Sequence, residues 1–107
     1  MARTALITGG SRGIGLGIAR ELGMAGFHLI INGVREEKEV STALDALREV
    51  APEVVYIQGD VSVREDRERL FLEAVRTART IHVLVNNAGV APLERTVITR
   101  VQVTVTD

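Results

Sequence analysis

Short apolar runs alternate along the chain with longer segments that mix polar and apolar residues. Each run is about five residues long and rich in β-branched side chains, as expected for strands. The runs are Thr4–Thr8, His28–Asn32, Val54–Gln58 and His82–Asn86. This pattern is typical of strands that are buried on both faces of a parallel sheet.

The segments between the runs carry apolar residues at helical spacing. The first two predicted helices are Ile14–Ala25 and about Lys38–Val50. A third is expected to start with a capping box, Ser62-x-x-Glu65. Its predicted apolar face is Leu70, Phe71, Ala74, Val75 and Ala78. The resulting order, βαβαβαβ, predicts an α/β fold with a parallel sheet and right-handed crossovers.

The end of the chain, residues 94–107, follows a different pattern. Val101, Val103 and Val105 alternate with polar residues, which is the period-two signature of a strand, and no helix precedes them. We therefore expect residues 1–93 to form one unit and residues 94–107 an atypical strand-like tail.

Composition narrows the function classes. The chain has 107 residues, enough for one domain, and a formal net charge of −1, which gives no reason to expect nucleic acid or an anionic membrane as partner. It has no cysteine, and its start lacks the apolar core of a signal peptide. His28 and His82 have no second ligand at metal spacing, so no metal site is expected. We expect a cytoplasmic protein.

Glycine and polar residues follow each predicted strand. The groups are Gly9-Gly10-Ser11-Arg12-Gly13-Ile14-Gly15, Asn32-Gly33 with Arg35, Gly59-Asp60-Val61 and Asn86-Asn87-Ala88-Gly89. The carboxyl ends of parallel strands lie at one edge of a sheet, where ligands of open α/β folds bind. The four groups therefore predict one shared binding site.

The first group predicts binding of a phosphate-containing ligand. It is not a Walker loop, because Leu16 stands where a lysine would be needed, and it lacks the G-x-G-x-x-G spacing. Gly9, Gly13 and Gly15 nevertheless permit a tight turn in which a phosphate can approach the backbone without meeting a side chain. The N-terminus of the helix that follows favours an anion through its free N–H groups and its dipole. A glycine-rich turn that only packs the helix on the strand is the alternative.

TGGSRGIG at residues 8–15, then Asp60-Val61, then NNAG at residues 86–89 resemble the short-chain dehydrogenase/reductases. The resemblance covers about residues 3–93, and residues 8–36 are similar to the 3-oxoacyl-[acyl-carrier-protein] reductases. It implies a Rossmann-like three-layer αβα fold with strand order 3-2-1-4, in which residues 1–93 form a dinucleotide-binding half-domain. Family members are usually homo-oligomers.

The resemblance also implies roles for single residues. Gly9, Ser11, Arg12, Gly13, Ile14 and Gly15 would line the cofactor diphosphate and adenosine ribose. Asp60 would accept a hydrogen bond from the adenine amino group beside the Val61 backbone, and Asn87, Ala88 and Gly89 would border the riboses. For Asp60 an Asx-turn or a helix cap is the alternative, and for Asn86-Asn87 a strand-end turn.

The end of the second strand bears on the choice of cofactor. An NAD site usually has a carboxylate there, which binds the hydroxyl groups of the adenosine ribose. This chain has Asn32 and Gly33 instead. Arg12 and Arg35 could face a 2′-phosphate, because a guanidinium matches phosphate geometry. Glu36 and Glu37 follow closely and weaken the argument. We favour NADP(H) over NAD(H).

The catalytic residues that the resemblance implies are missing. The family uses a tyrosine with a lysine four residues later and a serine, but the only tyrosine is Tyr56 and the only lysine is Lys38. We therefore expect a cofactor-binding portion of a reductase, truncated or frame-shifted, that is inactive alone. A non-catalytic nucleotide-binding module and a flavodoxin-like mononucleotide binder are the alternatives.

Overall fold

The computed structural model describes residues 3–87 in full and the backbone of residues 92–93, 96–97 and 102–105. Its strands are β1 Thr4–Thr8, β2 His28–Gly33, β3 Val54–Gln58, β4 Val83–Asn86, β5 Pro92–Leu93, β6 Thr96–Val97 and β7 Gln102–Val105. Its helices are α1 Gly13–Met24, α2 Ser41–Val50 and α3 Arg64–Ala78, and a 3₁₀ turn, Glu37–Val40, precedes α2. In the described part of the chain no helix has the length and apolar character needed to cross a bilayer.

The main sheet has the order β3-β2-β1-β4-β7. The first four strands are parallel, with Leu6 of β1 opposite Ile30 of β2 and Leu84 of β4. The predicted order 3-2-1-4 is therefore confirmed. All four predicted strands are present, and β1 and β3 have the predicted bounds.

Helices cover both faces of the sheet, which gives the three-layer αβα arrangement. On one face, Ala19 of α1 and Leu44 and Leu47 of α2 are buried against residues of β1 and β2. On the other face, Leu70 and Ala74 of α3 are buried against the sheet. These layers leave the carboxyl ends of the parallel strands free to form a site.

Two expectations for α3 are wrong. The helix begins at Arg64, and its N-cap, Val63, makes no side-chain cap hydrogen bond. Ser62 is not the cap: it precedes the N-cap residue, and its backbone N–H, which the Glu65 carboxylate would bind in a capping box, donates instead to Asp60 Oδ1 at 2.9 Å. Phe71 and Val75 were expected to be buried, but they are 36% and 49% exposed. α3 contacts the sheet through a narrower stripe, in which Leu70 and Ala74 are buried.

The tail completes the sheet. β7 pairs with β4 antiparallel, with Val83 opposite Val105 and Val85 opposite Val103. The alternation at the end of the chain therefore does form a strand. It makes the sheet mixed, and it covers the edge of β4 that the four parallel strands leave open.

Candidate functional site

The β1–α1 turn depends on glycine for two different reasons. Gly9 and Gly13 have positive φ values, 63° and 59°, which side chains disfavour. Gly15 instead permits a close approach, because a Cβ there would overlap the Gly9 carbonyl oxygen and lie 2.5 Å from Asn87 Nδ2. The turn therefore brings bare backbone to the start of α1.

The N-terminus of α1 faces the space beyond the turn. The first turn of a helix has N–H groups without intrahelical acceptors. The N-cap, Arg12, provides no side-chain cap hydrogen bond, and the first turn contains no acidic residue. The helix dipole and these N–H groups make this end suitable for an anion.

Buried amide contacts fix the end of β2. Asn32 is 1% exposed, and its Nδ2 donates to the carbonyl oxygens of Ile57, at 3.1 Å, and Gly59, at 3.0 Å. The Gly10 N–H donates to the Asn32 carbonyl oxygen at 2.9 Å. Asn32, predicted as a cofactor-binding residue, lines the cleft while its side-chain amide links β2 to β3.

The end of β4 is tied to β1. The Asn87 backbone N–H donates to Thr8 Oγ1 at 3.0 Å. The side-chain Nδ2 of Asn87 donates to the Gly9 carbonyl oxygen at 3.3 Å. Asn87 Oδ1 is buried and has no hydrogen-bond partner among the described residues. A buried acceptor without a donor is costly, so a ligand hydroxyl at this point would be stabilising.

The end of β3 forms an Asx-turn. Asp60 Oδ1 accepts from the Ser62 N–H at 2.9 Å and from the Ser62 hydroxyl. These bonds, the hydroxyl first, hold the pKa of Asp60 below its ordinary value, so the carboxylate is ionised at neutral pH. The Val61 carbonyl oxygen accepts from Arg67 Nη1 at 2.8 Å. The turn that was an alternative to cofactor binding is therefore present, and Oδ2 makes none of these contacts.

Two arginines lie at the same edge, Arg12 in the β1–α1 turn and Arg35 in the segment after β2. Arg12 and Arg35 are exposed and line the cleft, and neither forms an ion pair within residues 3–87. Glu36, in contrast, pairs with Lys38 at 3.4 Å and takes part in a capping box of the 3₁₀ turn. The nearest acidic side chain in sequence is therefore already engaged.

These elements enclose one cleft of about 1040 Å³. Of the predicted residues, it is lined by Gly9, Ser11, Arg12, Gly13, Ile14, Asn32, Arg35, Asp60, Val61 and Asn87. Gly15 lies behind the lining, and Ala88 and Gly89 lie outside the described residues. The sequence interpretation missed Thr8, Arg67 and Phe71, which also line the cleft. Thr8 is the last residue of β1, so its position was a signal, whereas Arg67 and Phe71 lie on α3 and only the fold brings them to the cleft.

Comparison with known proteins identifies a family. The family model described as short chain dehydrogenase matches residues 3–105. A hydroxynaphthalene reductase of Aspergillus fumigatus is 36% identical over 97 residues, which is 88% of this chain and 36% of that protein. The chain spans about a third of the length of the curated relatives that it matches, from 33% to 36%.

Solved structures give the same result for the fold. A 3-oxoacyl-[acyl-carrier protein] reductase from Brucella melitensis, in complex with NAD, has a TM-score of 0.79 and 35% identity over 90% of this chain and 37% of its own. A metagenomic short-chain oxidoreductase in complex with NADP has a TM-score of 0.75 and 30% identity over 82% of this chain and 39% of its own. The sequence identities of 35% and 30%, together with the family match over residues 3–105, indicate membership of one family and not only a shared fold.

Proposed function

The chain belongs to the short-chain dehydrogenase family, and we propose that its cleft binds a nicotinamide dinucleotide as the cofactor-binding portion of a reductase. The observation that carries the proposal is the convergence of four strand ends on one cleft of about 1040 Å³, with the N-terminus of α1 at its wall. Dinucleotide sites of open α/β sheets occupy this position.

The residues present fit such a cofactor. The diphosphate would lie on the backbone of Gly9, Gly13 and the first turn of α1, where there are N–H donors and no side-chain cap. A ribose hydroxyl would supply the donor that buried Asn87 Oδ1 lacks. The adenine amino group would donate to Asp60, beside the Val61 backbone.

We propose NADP(H) as the preferred form. Arg12 and Arg35 supply two cations at the cleft without ion-pair partners within residues 3–87, and β2 ends without a carboxylate. The pairing of Glu36 with Lys38 reduces the repulsion that a 2′-phosphate would meet. The relatives do not decide between the forms, since the two structures are described with NAD and with NADP.

For a longer protein that would contain this cofactor-binding portion, we propose hydride transfer between NADPH and a carbonyl, of the 3-oxoacyl thioester kind. Bound nicotinamide would supply the hydride. The relatives named as reductases support this class.

Titration with NADPH and NADH, followed by nicotinamide fluorescence or calorimetry, tests the proposal. Gly13→Asp adds a negative charge at the diphosphate position and should weaken binding about tenfold or more. The matched control is Gly26→Asp. Gly26 also has a positive φ, 97°, and open space for a side chain, but it follows the other end of α1. Undetectable binding of both dinucleotides, or equal losses in the two variants, would refute the proposed site.

A further inference from the structure

The end of β2 has a neighbour that the sequence does not indicate. Tyr56 lies opposite Ile31 in the β2–β3 pairing, so its side chain and that of residue 33 belong to the same face of the sheet. The Tyr56 hydroxyl donates to the Arg35 carbonyl oxygen at 2.6 Å. Tyr56, on β3, thus holds the backbone of Arg35, which lines the cleft.

The same hydroxyl fills the space that a side chain at position 33 would need. A Cβ on Gly33 would lie 2.7 Å from the Tyr56 hydroxyl oxygen and 2.8 Å from Ser11 Oγ, while its distance to Tyr56 Cε1 would be an ordinary 3.4 Å. Ser11 can rotate its hydroxyl away, but the Tyr56 oxygen is fixed by its ring and by its hydrogen bond. The hydroxyl is therefore the main obstacle to a side chain at this position.

A second contact holds the same segment. Gln58 Nε2 donates to the Val34 carbonyl oxygen at 3.2 Å. Two side chains of β3 thus bind consecutive carbonyl groups of the segment after β2, which fixes where the Arg35 side chain leaves the backbone. Pre-organisation of this kind reduces the entropy that a flexible arginine loses when it binds a phosphate.

We propose that Tyr56 is a positioning residue that sets cofactor selectivity: its hydroxyl orients Arg35 towards a 2′-phosphate and excludes a diol-binding carboxylate from position 33. This rests on the proposed function, because it assigns the choice between two forms of the same cofactor to one hydroxyl group. A residue that selects the phosphate only through Arg35 should affect NADPH and leave NADH unchanged.

The first test is Tyr56→Phe, which removes the hydroxyl and keeps the ring. NADPH affinity should fall about three- to tenfold, the range for loss of one hydrogen bond, while NADH affinity changes less than about twofold. Val54→Ala is the matched control, because Val54 is buried at the opposite end of the same strand and should leave the NADPH/NADH affinity ratio unchanged. Equal losses for both cofactors, or no loss, would overturn the proposal.

The second test is a double-mutant cycle with Gly33→Asp. Alone, this variant should bind both cofactors poorly, because its side chain meets the Tyr56 hydroxyl. Combined with Tyr56→Phe, it should bind NADH more tightly than NADPH. A combined variant that still prefers NADPH would contradict the steric part of the proposal.

Stability measurements separate failure of this inference from failure of the proposed function. Gly33→Ala should lower the melting temperature in the natural background and should cost clearly less in the Tyr56→Phe background. If the natural chain bound neither dinucleotide, the proposed function and the selectivity role would both be refuted, and this cycle would still decide whether the hydroxyl occupies that space. Equal costs in the two backgrounds would overturn the steric claim even if cofactor bound.

Discussion

Two glycines of α1, two residues apart, should respond oppositely to the same substitution. At Gly17 an added Cβ would meet no atom within 4 Å. Gly17→Ala should therefore stabilise the fold by about 0.4–1 kcal/mol, since alanine reduces the freedom of the unfolded chain and favours helix. At Gly15 the same methyl group would overlap the Gly9 carbonyl oxygen and crowd Asn87 Nδ2.

The crowding at Gly15 cannot be relieved cheaply. The Gly9 carbonyl belongs to a turn with φ of 63°, and it accepts from Asn87 Nδ2, so moving it disturbs both the turn and the link to β4. Overpacking of this kind typically costs about 1–3 kcal/mol. The two variants should therefore differ by about 1.5–4 kcal/mol, with Gly15→Ala the less stable.

Thermal unfolding followed by circular dichroism measures this difference. At about 4–8 °C per kcal/mol for a domain of this size, the melting temperatures should be separated by about 6 °C or more. Gly15→Ala should also weaken dinucleotide binding, because the displaced turn is the proposed diphosphate site, whereas Gly17→Ala should leave affinity unchanged. Two variants that are both stabilised would refute the close approach of α1 to the turn.

Three further predictions concern pH, the tail and catalysis. Burial first, and then the carboxylates of Glu37 and Glu39, raise the pKa of Tyr56 above 10.0. The stability that neutral Tyr56 contributes is therefore complete below its pKa in the unfolded chain, and it is lost as the pH rises through its pKa in the folded chain. Tyrosinate absorbance of this single tyrosine should appear at a higher pH than that of a free tyrosine. A titration at the ordinary pKa of tyrosine would contradict the burial. Deletion of residues 95–107 removes β7 and should lower solubility, because β4 becomes an open edge; unchanged solubility by light scattering would mean that β7 has no protective role. The 107-residue chain should not consume NADPH with acetoacetyl thioesters above a Gly13→Asp control, because Tyr56 has no lysine partner and general acid catalysis contributes about 10²–10⁴-fold; turnover above the control would reveal an unrecognised proton donor.

Local sequence patterns determined the parallel core and most of the site. Strands buried on both faces need continuous apolar runs, so β1 and β3 could be bounded from the sequence alone. Glycines with positive φ at residues 9 and 13 also follow from local backbone chemistry. Since parallel strands end at one edge of a sheet, the residues after each strand could be assigned to one site from the sequence.

Tertiary structure decided what depends on contacts between distant residues. Period-two alternation indicates a strand but not its partner, and only the fold shows that β7 lies antiparallel to β4. Ser62 matches a capping box in sequence, but its backbone N–H donates to Asp60 in an Asx-turn and is not available to Glu65. Phe71 has helical spacing for burial, but it is 36% exposed and lines the cleft. The Tyr56 hydroxyl on β3 lies beside Arg35 and Gly33 at the end of β2. Hydrophobic periodicity predicts the strands but not which side chain of one strand lies next to a glycine of the other.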